Sequence, residues 1–221
     1  MAIYSKEIIE RFRAAATASL ADACDIVVKD KRCVMDYAMR PRVRERKIVG
    51  PAVTVLDGAG TDPQPPTHII DTLDNAEGGE VIVVSLKEND LNCALWGGLM
   101  TAGAFVNGLE GAVLNCGVRD LTEIRRDYPD FEIFSQSIVP VTMVSRYVTI
   151  DKNLPVECAG VIVNPGDLIV GDIDGVICIP QEHVEEVLAV AEDIDKKEAI
   201  QTKAIFETKS FGQGLAKFNR F

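Results

Sequence analysis

Arg119 and Asp120 are the residues of this chain best suited to chemistry. They close the stretch Asn115-Cys116-Gly117-Val118-Arg119-Asp120, which follows an apolar run and leads into a helix. A guanidinium is a permanent cation, and the carboxylate beside it is a hard oxygen donor. Such a pair suits an anionic, metal-chelating substrate. Upstream, Trp96-Gly97-Gly98-Leu99-Met100 opens another helix with bare backbone amides. Glycine costs a helix interior roughly 1 kcal/mol, yet at a helix start it lets an anion reach the unpaired amides of the first turn. The two stretches together predict a small-acid site. Arg119 and Asp120 would do the chemistry, and Gly97, Gly98, Leu99, Met100 and Arg119 would hold the substrate.

Plainer roles compete. Asp120-Leu121-Thr122-Glu123 has the pattern of a capping box, which alone would explain both carboxylates. It leaves Arg119 unexplained, at the end of a strand where α/β proteins usually bind ligands. Gly97 and Gly98 would be accounted for by close packing beside Trp96. A third candidate, Glu198, extends by four the apolar stripe Val184, Val187, Leu188, Ala191, Ile194 of a long C-terminal helix. That spacing predicts a sheltered carboxylate, paired with a base or with a metal-bound water.

The elements that must position these residues alternate. Residues 3–13 and a segment from Thr17 or Ser19 read as helices. Residues 29–47 form a basic arm (Lys29, Lys31, Arg32, Arg40, Arg42, Arg44, Arg46, Lys47) expected to be solvated. Strands are predicted from Ile48 to Leu56, Val81 to Leu86 and Gly111 to Asn115. Helices are predicted over 68–76, 96–109 and 121–127, and a loop over Gly58 to Pro66. Further strands are expected at 133–134, 139–144, 147–150, 160–163, 168–170 and 176–179, before the long helix after Pro180. This pattern gives a layered α/β fold in one domain. Residues 1–47 carry helices and the arm, 48–180 the core, and 181–221 the long helix and tail.

The bulk properties narrow the function. The chain has 221 residues and a formal net charge of -11, which excludes a typical nucleic-acid binder. No run approaches the ~20 apolar residues of a membrane span, and no signal peptide is visible, so a cytoplasmic protein is expected. Six scattered cysteines and two distant histidines make a zinc centre a poor reading and buried free thiols the better one. Any bound metal would need oxygen ligands, which points to Mg²⁺ or Mn²⁺.

These residues resemble the RraA-like family, which includes the regulator of ribonuclease E and the 4-hydroxy-4-methyl-2-oxoglutarate aldolases. The likeness rests on Thr17-Ala18-Ser19-Leu20-Ala21-Asp22-Ala23, Trp96-Gly97-Gly98-Leu99, Gly117-Val118-Arg119-Asp120 and the segment Val163 to Val176. It implies a ββα layered fold akin to the swivelling phosphohistidine domain, in trimers or hexamers with sites between subunits. It implies Mg²⁺ or Mn²⁺ held by Asp120, Arg119 beside the substrate stabilising a pyruvate enolate, and the amides of Gly98, Leu99 and Met100 on its carboxylate. An acidic residue of a neighbour's C-terminal helix would complete the metal shell, with Glu198 as candidate and Asp195 as alternative. Catalytic relatives tend to carry an acidic residue twenty-one positions before the arginine, where this chain has Gly98. The resemblance implies a metal-dependent lyase cleaving or decarboxylating a small 2-oxo acid. A non-catalytic regulator that binds a ribonuclease and an enolate-forming dehydratase are the alternatives.

Overall fold

Apolar strands separated by helices build a sheet that is covered on both faces. The computed structural model describes residues 3–29 and 31–218. In chain order the elements are α1 (Lys6–Ala14), α2 (Thr17–Val27), β1 (Arg40–Pro41), β2 (Ile48–Ala59), α3 (Thr67–Asp74), β3 (Val81–Leu86), β4 (Ala94–Trp96), α4 (Gly98–Val106) and β5 (Gly111–Val118). There follow α5 (Leu121–Asp127), β6 (Glu132–Ile138), β7 (Tyr147–Lys152), β8 (Val156–Cys158), β9 (Val161–Val163), β10 (Leu168–Asp172), β11 (Gly175–Ile179), α6 (Val184–Thr208) and α7 (Phe211–Leu215). The main sheet runs β1-β6-β5-β3-β2-β10-β11, with β4 beside β5 and β7 beside β2. Strands β2, β3, β5 and β6 are parallel, joined by crossovers that carry α3, α4 and α5, as parallel pairing requires.

Alternation along β3 and β5 explains why both read as unbroken apolar runs. Ile82, Val84, Ala112 and Leu114 meet Ile69, Leu73, Ala104 and Ile124 of the helical layer. Their neighbours Val81, Val83 and Val113 face the other way, against Val156, Val161, Ile169 and Val176. A strand buried on both faces has no polar side to show. The sheet curls until its ends approach, where Arg40 of β1 donates to the carbonyl of Asp174 between β10 and β11. Outside β10 and β11, α1 and α2 pack with α6 through Phe12, Leu20, Val184, Val187 and Leu188. Each such buried side chain is worth roughly 1.5–3 kcal/mol. Among the described residues no helix is long and apolar enough to cross a membrane.

The structure corrects several expectations. The basic arm is solvated only in part: Lys29, Lys31, Arg32 and Arg44 are exposed, whereas Arg46 pairs with Glu110 and Arg42 donates to the carbonyl and hydroxyl of Ser135. The buried Glu132 carboxylate accepts the backbone amides of Arg42, Val43, Arg44 and Arg46 at 2.7–3.0 Å. A carboxylate taken out of water needs such donors, and four amides of the bend over 42–46 supply them. Residues 139–144 form a loop instead of a strand, and β2 runs on to Ala59. Helix α4 starts two residues later than expected because Ala94 to Trp96 pair with β5.

One buried group has no such compensation. Asp57 of β2 is fully buried, and neither carboxylate oxygen has a hydrogen-bond partner among the described residues. Burial pushes its carboxyl up to about 8. The folded chain therefore keeps a proton that the unfolded chain releases above about pH 4. Stability from this group is fully present below that point and is lost as pH rises towards 8, at up to ~1.4 kcal/mol per pH unit. Urea midpoints of the wild type and Asp57→Asn should diverge between pH 5 and pH 9, the variant having the flatter profile. Parallel profiles would show that Asp57 does not titrate in that window.

Candidate functional site

The site is built where β4 and β5 end side by side. Gly117 lies inside β5 and not in a turn; a Cβ there would come within 2.6 Å of Val139 and 2.8 Å of the Cys93 carbonyl. Its absence lets β4 close on β5, with Gly117 N–H donating to Cys93 O at 2.9 Å and Arg119 N–H to Trp96 O at 3.0 Å. The Trp96 ring is fixed by its indole N–H on Thr101 Oγ1 at 2.9 Å and by stacking on Phe131. Thr101 Oγ1 in turn donates to Gly97 O. This pinning of Trp96-Gly97-Gly98 beside Arg119-Asp120 follows from strand pairing, which the sequence separation hid.

Asp120 occupies the N-cap position of α5 but does not cap it. Its backbone is left-handed (φ 61°, ψ 27°) and its side chain accepts nothing from α5, so the expected capping box with Glu123 is not formed. Asp120 Oδ2 instead reaches back to Gly98 N–H at 3.0 Å, the first amide of α4. The Arg119 guanidinium lies 3.6 Å from the same oxygen. Left-handed backbone costs a non-glycine residue of order 1–3 kcal/mol, and a charge-assisted hydrogen bond returns about 1.5–3. The two nearly cancel. Of the first-turn amides, Gly98 is therefore committed to Asp120, which leaves those of Leu99 and Met100, beyond reach of any α4 carbonyl.

The two glycines are not equivalent. A Cβ on Gly97 would stand 2.6 Å from Asp120 Oδ2 and 3.2 Å from Arg119 Cγ, whereas one on Gly98 would sit at an ordinary 3.7 Å from Asp120 Cβ. Gly97 is extended and demands glycine only for this close approach. Gly98 has room for a side chain.

Arg119, Asp120, Gly97, Gly98, Leu99 and Met100 all line one cavity of about 480 Å³, at the carboxyl ends of β4 and β5. Its other wall comes from α3 (Ile69, Leu73, Asp74), Gln64 and the loop Thr142-Met143-Val144. Sequence reasoning missed these, since α3 reads as an ordinary amphipathic helix and 139–144 as a strand. Glu198 is not in this cavity. It is exposed on α6, because the buried stripe continues through Gln201 and Ala204 instead, where α7 brings Gly214 against Ile205. Asp195 is half-buried on the same helix and accepts Ala16 N–H at 3.1 Å. All six cysteines are buried and free, as expected.

Comparison with known proteins agrees with this architecture. The RraA-like family model, described as aldolase/RraA, matches residues 17–178. The chain belongs to the RraA-like family. Within that family, an uncharacterized Methanocaldococcus jannaschii protein is 30% identical over 185 residues, 81% of each chain. A Halalkalibacterium halodurans protein, provisionally named 4-hydroxy-4-methyl-2-oxoglutarate aldolase, is 30% identical over 90% of this chain and 89% of its own. The crystal structure of an uncharacterized Pseudomonas syringae protein superposes with a TM-score of 0.84 at 26% identity, covering 97% of this chain and 95% of that one. Streptomyces coelicolor RraAS2, described as an unusual member of the RNase ES inhibitor RraA family, shares the RraA-like fold. Its TM-score is 0.80 at 20% identity over 90% of this chain and 98% of its own.

The glycine geometry gives a direct test. Gly97→Ala should lower stability by about 1–3 kcal/mol, the usual cost of overpacking. Gly98→Ala should stay within about 1 kcal/mol of the wild type or gain slightly, as relief of glycine's unfolded-state freedom does. Thermal and urea melts of both variants check this; equal losses would contradict the close approach at Gly97.

Proposed function

We propose that this RraA-like protein is a divalent-cation-dependent carbon–carbon lyase. Its substrate is a small 2-oxo acid, cleaved or decarboxylated through a pyruvate enolate. The reaction is of the 4-hydroxy-4-methyl-2-oxoglutarate aldolase or oxaloacetate decarboxylase type. The observation that carries the reading is the convergence of the Arg119 guanidinium, the Asp120 carboxylate and the first turn of α4 on one cavity. The provisional name of the Halalkalibacterium halodurans relative supports the reaction class.

The residues suit a hard cation that keeps most of its water. Asp120 uses Oδ2 for Gly98 and Arg119, while Oδ1 makes no hydrogen bond among the described residues. No group of three or more His, Cys, Asp or Glu residues that could hold a metal occurs among the described residues. Mg²⁺ or Mn²⁺ bound by one or two carboxylates and several waters asks for no such group. Asp120 would hold it, with Glu198 or Asp195 of a neighbouring copy as the second carboxylate. When bound, the cation supplies a Lewis acid for the keto oxygen.

The rest falls to the chain itself. The Leu99 and Met100 amides bind the substrate carboxylate at the positive end of α4. Arg119 stabilises the negative charge that develops on the enolate oxygen as the carbon–carbon bond breaks. No lysine lines the cavity among the described residues, so a Schiff-base route lacks its nucleophile. Gly98 cannot relay a proton, and we assign that role to Asp74, the remaining carboxylate on the cavity wall. The apolar residues Leu99, Phe105 and Val106, exposed on α4, are surface that a trimer or hexamer of swivelling-type domains would cover, placing the site at a subunit seam. A non-catalytic, protein-binding role is the second reading, favoured by the missing side chain at Gly98.

Protein stripped of metal and given Mg²⁺ or Mn²⁺ should release pyruvate from oxaloacetate or a branched hydroxy-oxo acid. Arg119→Ala and Asp120→Ala should each lower kcat/KM by ~10²–10³ with the fold intact, the cost of losing a charge-stabilising group. No turnover by the wild type on any such acid supports the second reading. Asp74→Asn should lower kcat by ~10² or more and remove one limb of the pH–rate profile, as loss of a general acid does. An unchanged profile would exclude Asp74 from proton transfer.

A further inference from the structure

The cavity that holds Arg119 and Asp120 has two unlike walls. Opposite the charged pair, Ile69, Ile70 and Leu73 line it from α3, and Met143 and Val144 from the loop before β7. Ile69, Leu73 and Met143 are buried, while Ile70 and Val144 keep 43% and 47% of their surface exposed for a ligand to cover. The wall is held in place. Leu73 packs on α4 at Gly103, where a Cβ would stand 3.4 Å from Leu73 Cδ1. Asp71 of α3 pairs with Lys152 of β7. Arg146 donates to the carbonyls of Thr142 and Val144, which fixes the loop. The one charge that α3 presents to the cavity is the carboxylate of Asp74.

We propose that this apolar wall selects 4-hydroxy-2-oxo acids whose C4 substituent is apolar over those that end in a second carboxylate. Under the lyase reading above, on which this rests, the oxo-acid end lies against Arg119 and the start of α4. The C4 substituent is then left to the α3 wall, where two effects act in the same direction. An alkyl or aryl group covers Ile70 and Val144 and leaves water. A carboxylate there loses its hydration to apolar carbon and meets the like charge of Asp74.

In the cleavage, the C3–C4 bond breaks and its electron pair stays with the pyruvate enolate. Asp74 takes the C4 hydroxyl proton as an apolar aldehyde or ketone forms, and that proton is returned to C3 as the enolate becomes pyruvate. Substrate and products balance with no further reactant. Decarboxylation of oxaloacetate instead releases its second carboxylate as carbon dioxide, and no C4 fragment is left for the wall to hold.

The full chain with Mg²⁺ should be titrated by calorimetry with 2-oxoglutarate and with 5-methyl-2-oxohexanoate, which has an isopropyl group in place of the distal carboxylate. The isopropyl compound should bind ~10-fold more tightly or better, as covering two further methyl groups gives. Val144→Arg, at an exposed position, should narrow or reverse that gap by bringing a cation to the wall, with circular dichroism checking the fold. Equal binding, tighter 2-oxoglutarate, binding of neither, or an unchanged gap in folded Val144→Arg would each overturn the proposal. Turnover separates it from the lyase reading. Cleavage of 4-hydroxy-4-methyl-2-oxopentanoate should exceed that of 4-hydroxy-4-methyl-2-oxoglutarate by ~10-fold in kcat/KM. Faster cleavage of the dicarboxylate overturns the preference and keeps the lyase. Tighter binding of the isopropyl compound with no cleavage of either acid overturns the lyase and supports the preference of the wall.

Discussion

One hydrogen bond organises the candidate site: Asp120 Oδ2 accepting the first amide of α4. To make it, Asp120 adopts left-handed backbone and gives up the cap of its own helix. Gly97 gives up a side chain so that the carboxylate can pass, and Gly117 gives up one so that β4 can reach β5. The bond fixes which end of each group faces the cavity. The Arg119 guanidinium stands beside the shared oxygen, and the next two amides of α4 remain for a ligand. Strain and hydrogen bond are of similar size, so the arrangement persists only where the surrounding strands impose it.

The frame that imposes it is a parallel sheet buried on both faces. Its carboxyl ends are held by a short added strand and by Trp96, and its opposite edge by Glu132. The Glu132 clamp turns a run of basic residues into a tight, bonded turn whose arginines reach Glu110, Ser135 and Asp174. Rigid elements behind the cavity and a loop at its rim are the usual division between scaffold and site. The curled sheet leaves the N-terminal helices and α6 on the side away from α3 and α4, which is why neither Glu198 nor Asp195 joins the cavity within one chain.

Much of this was legible in the sequence, and what was not has physical reasons. The buried strands at 81–86 and 111–115, the helix at 121–127 and the apolar stripe of α6 follow from periodicity alone. Arg119, Asp120 and the glycine pair, which the structure brings to one cavity, stand out in the sequence because charge and glycine at a strand–helix junction are informative wherever they fall. The bonding of Asp120 was not found, because a capping pattern and a tertiary acceptor have the same letters. The basic arm was misread only around Arg42 and Arg46, where a single buried carboxylate, far along the chain at Glu132, holds the backbone; Lys29, Lys31 and Arg32 are exposed as expected. Glu198 was misplaced because α7 covers the last turns of α6 over Gln201 and Ala204, and a four-residue extension of the stripe lies off that face. The α3 wall and the loop at 142–144 carry no chemical signature and become visible only when the sheet brings them together.

The account stands on a cation and an oxo-acid meeting between Asp120, Arg119 and the start of α4. A crystal grown with Mn²⁺ and oxalate, a planar mimic of the enolate, tests this most directly through the anomalous signal of the metal. The account predicts manganese on the Asp120 carboxylate, with an oxalate carboxylate against the Leu99 and Met100 amides and Arg119 beside it. Manganese bound elsewhere, or a cavity that takes up neither ion, would contradict it.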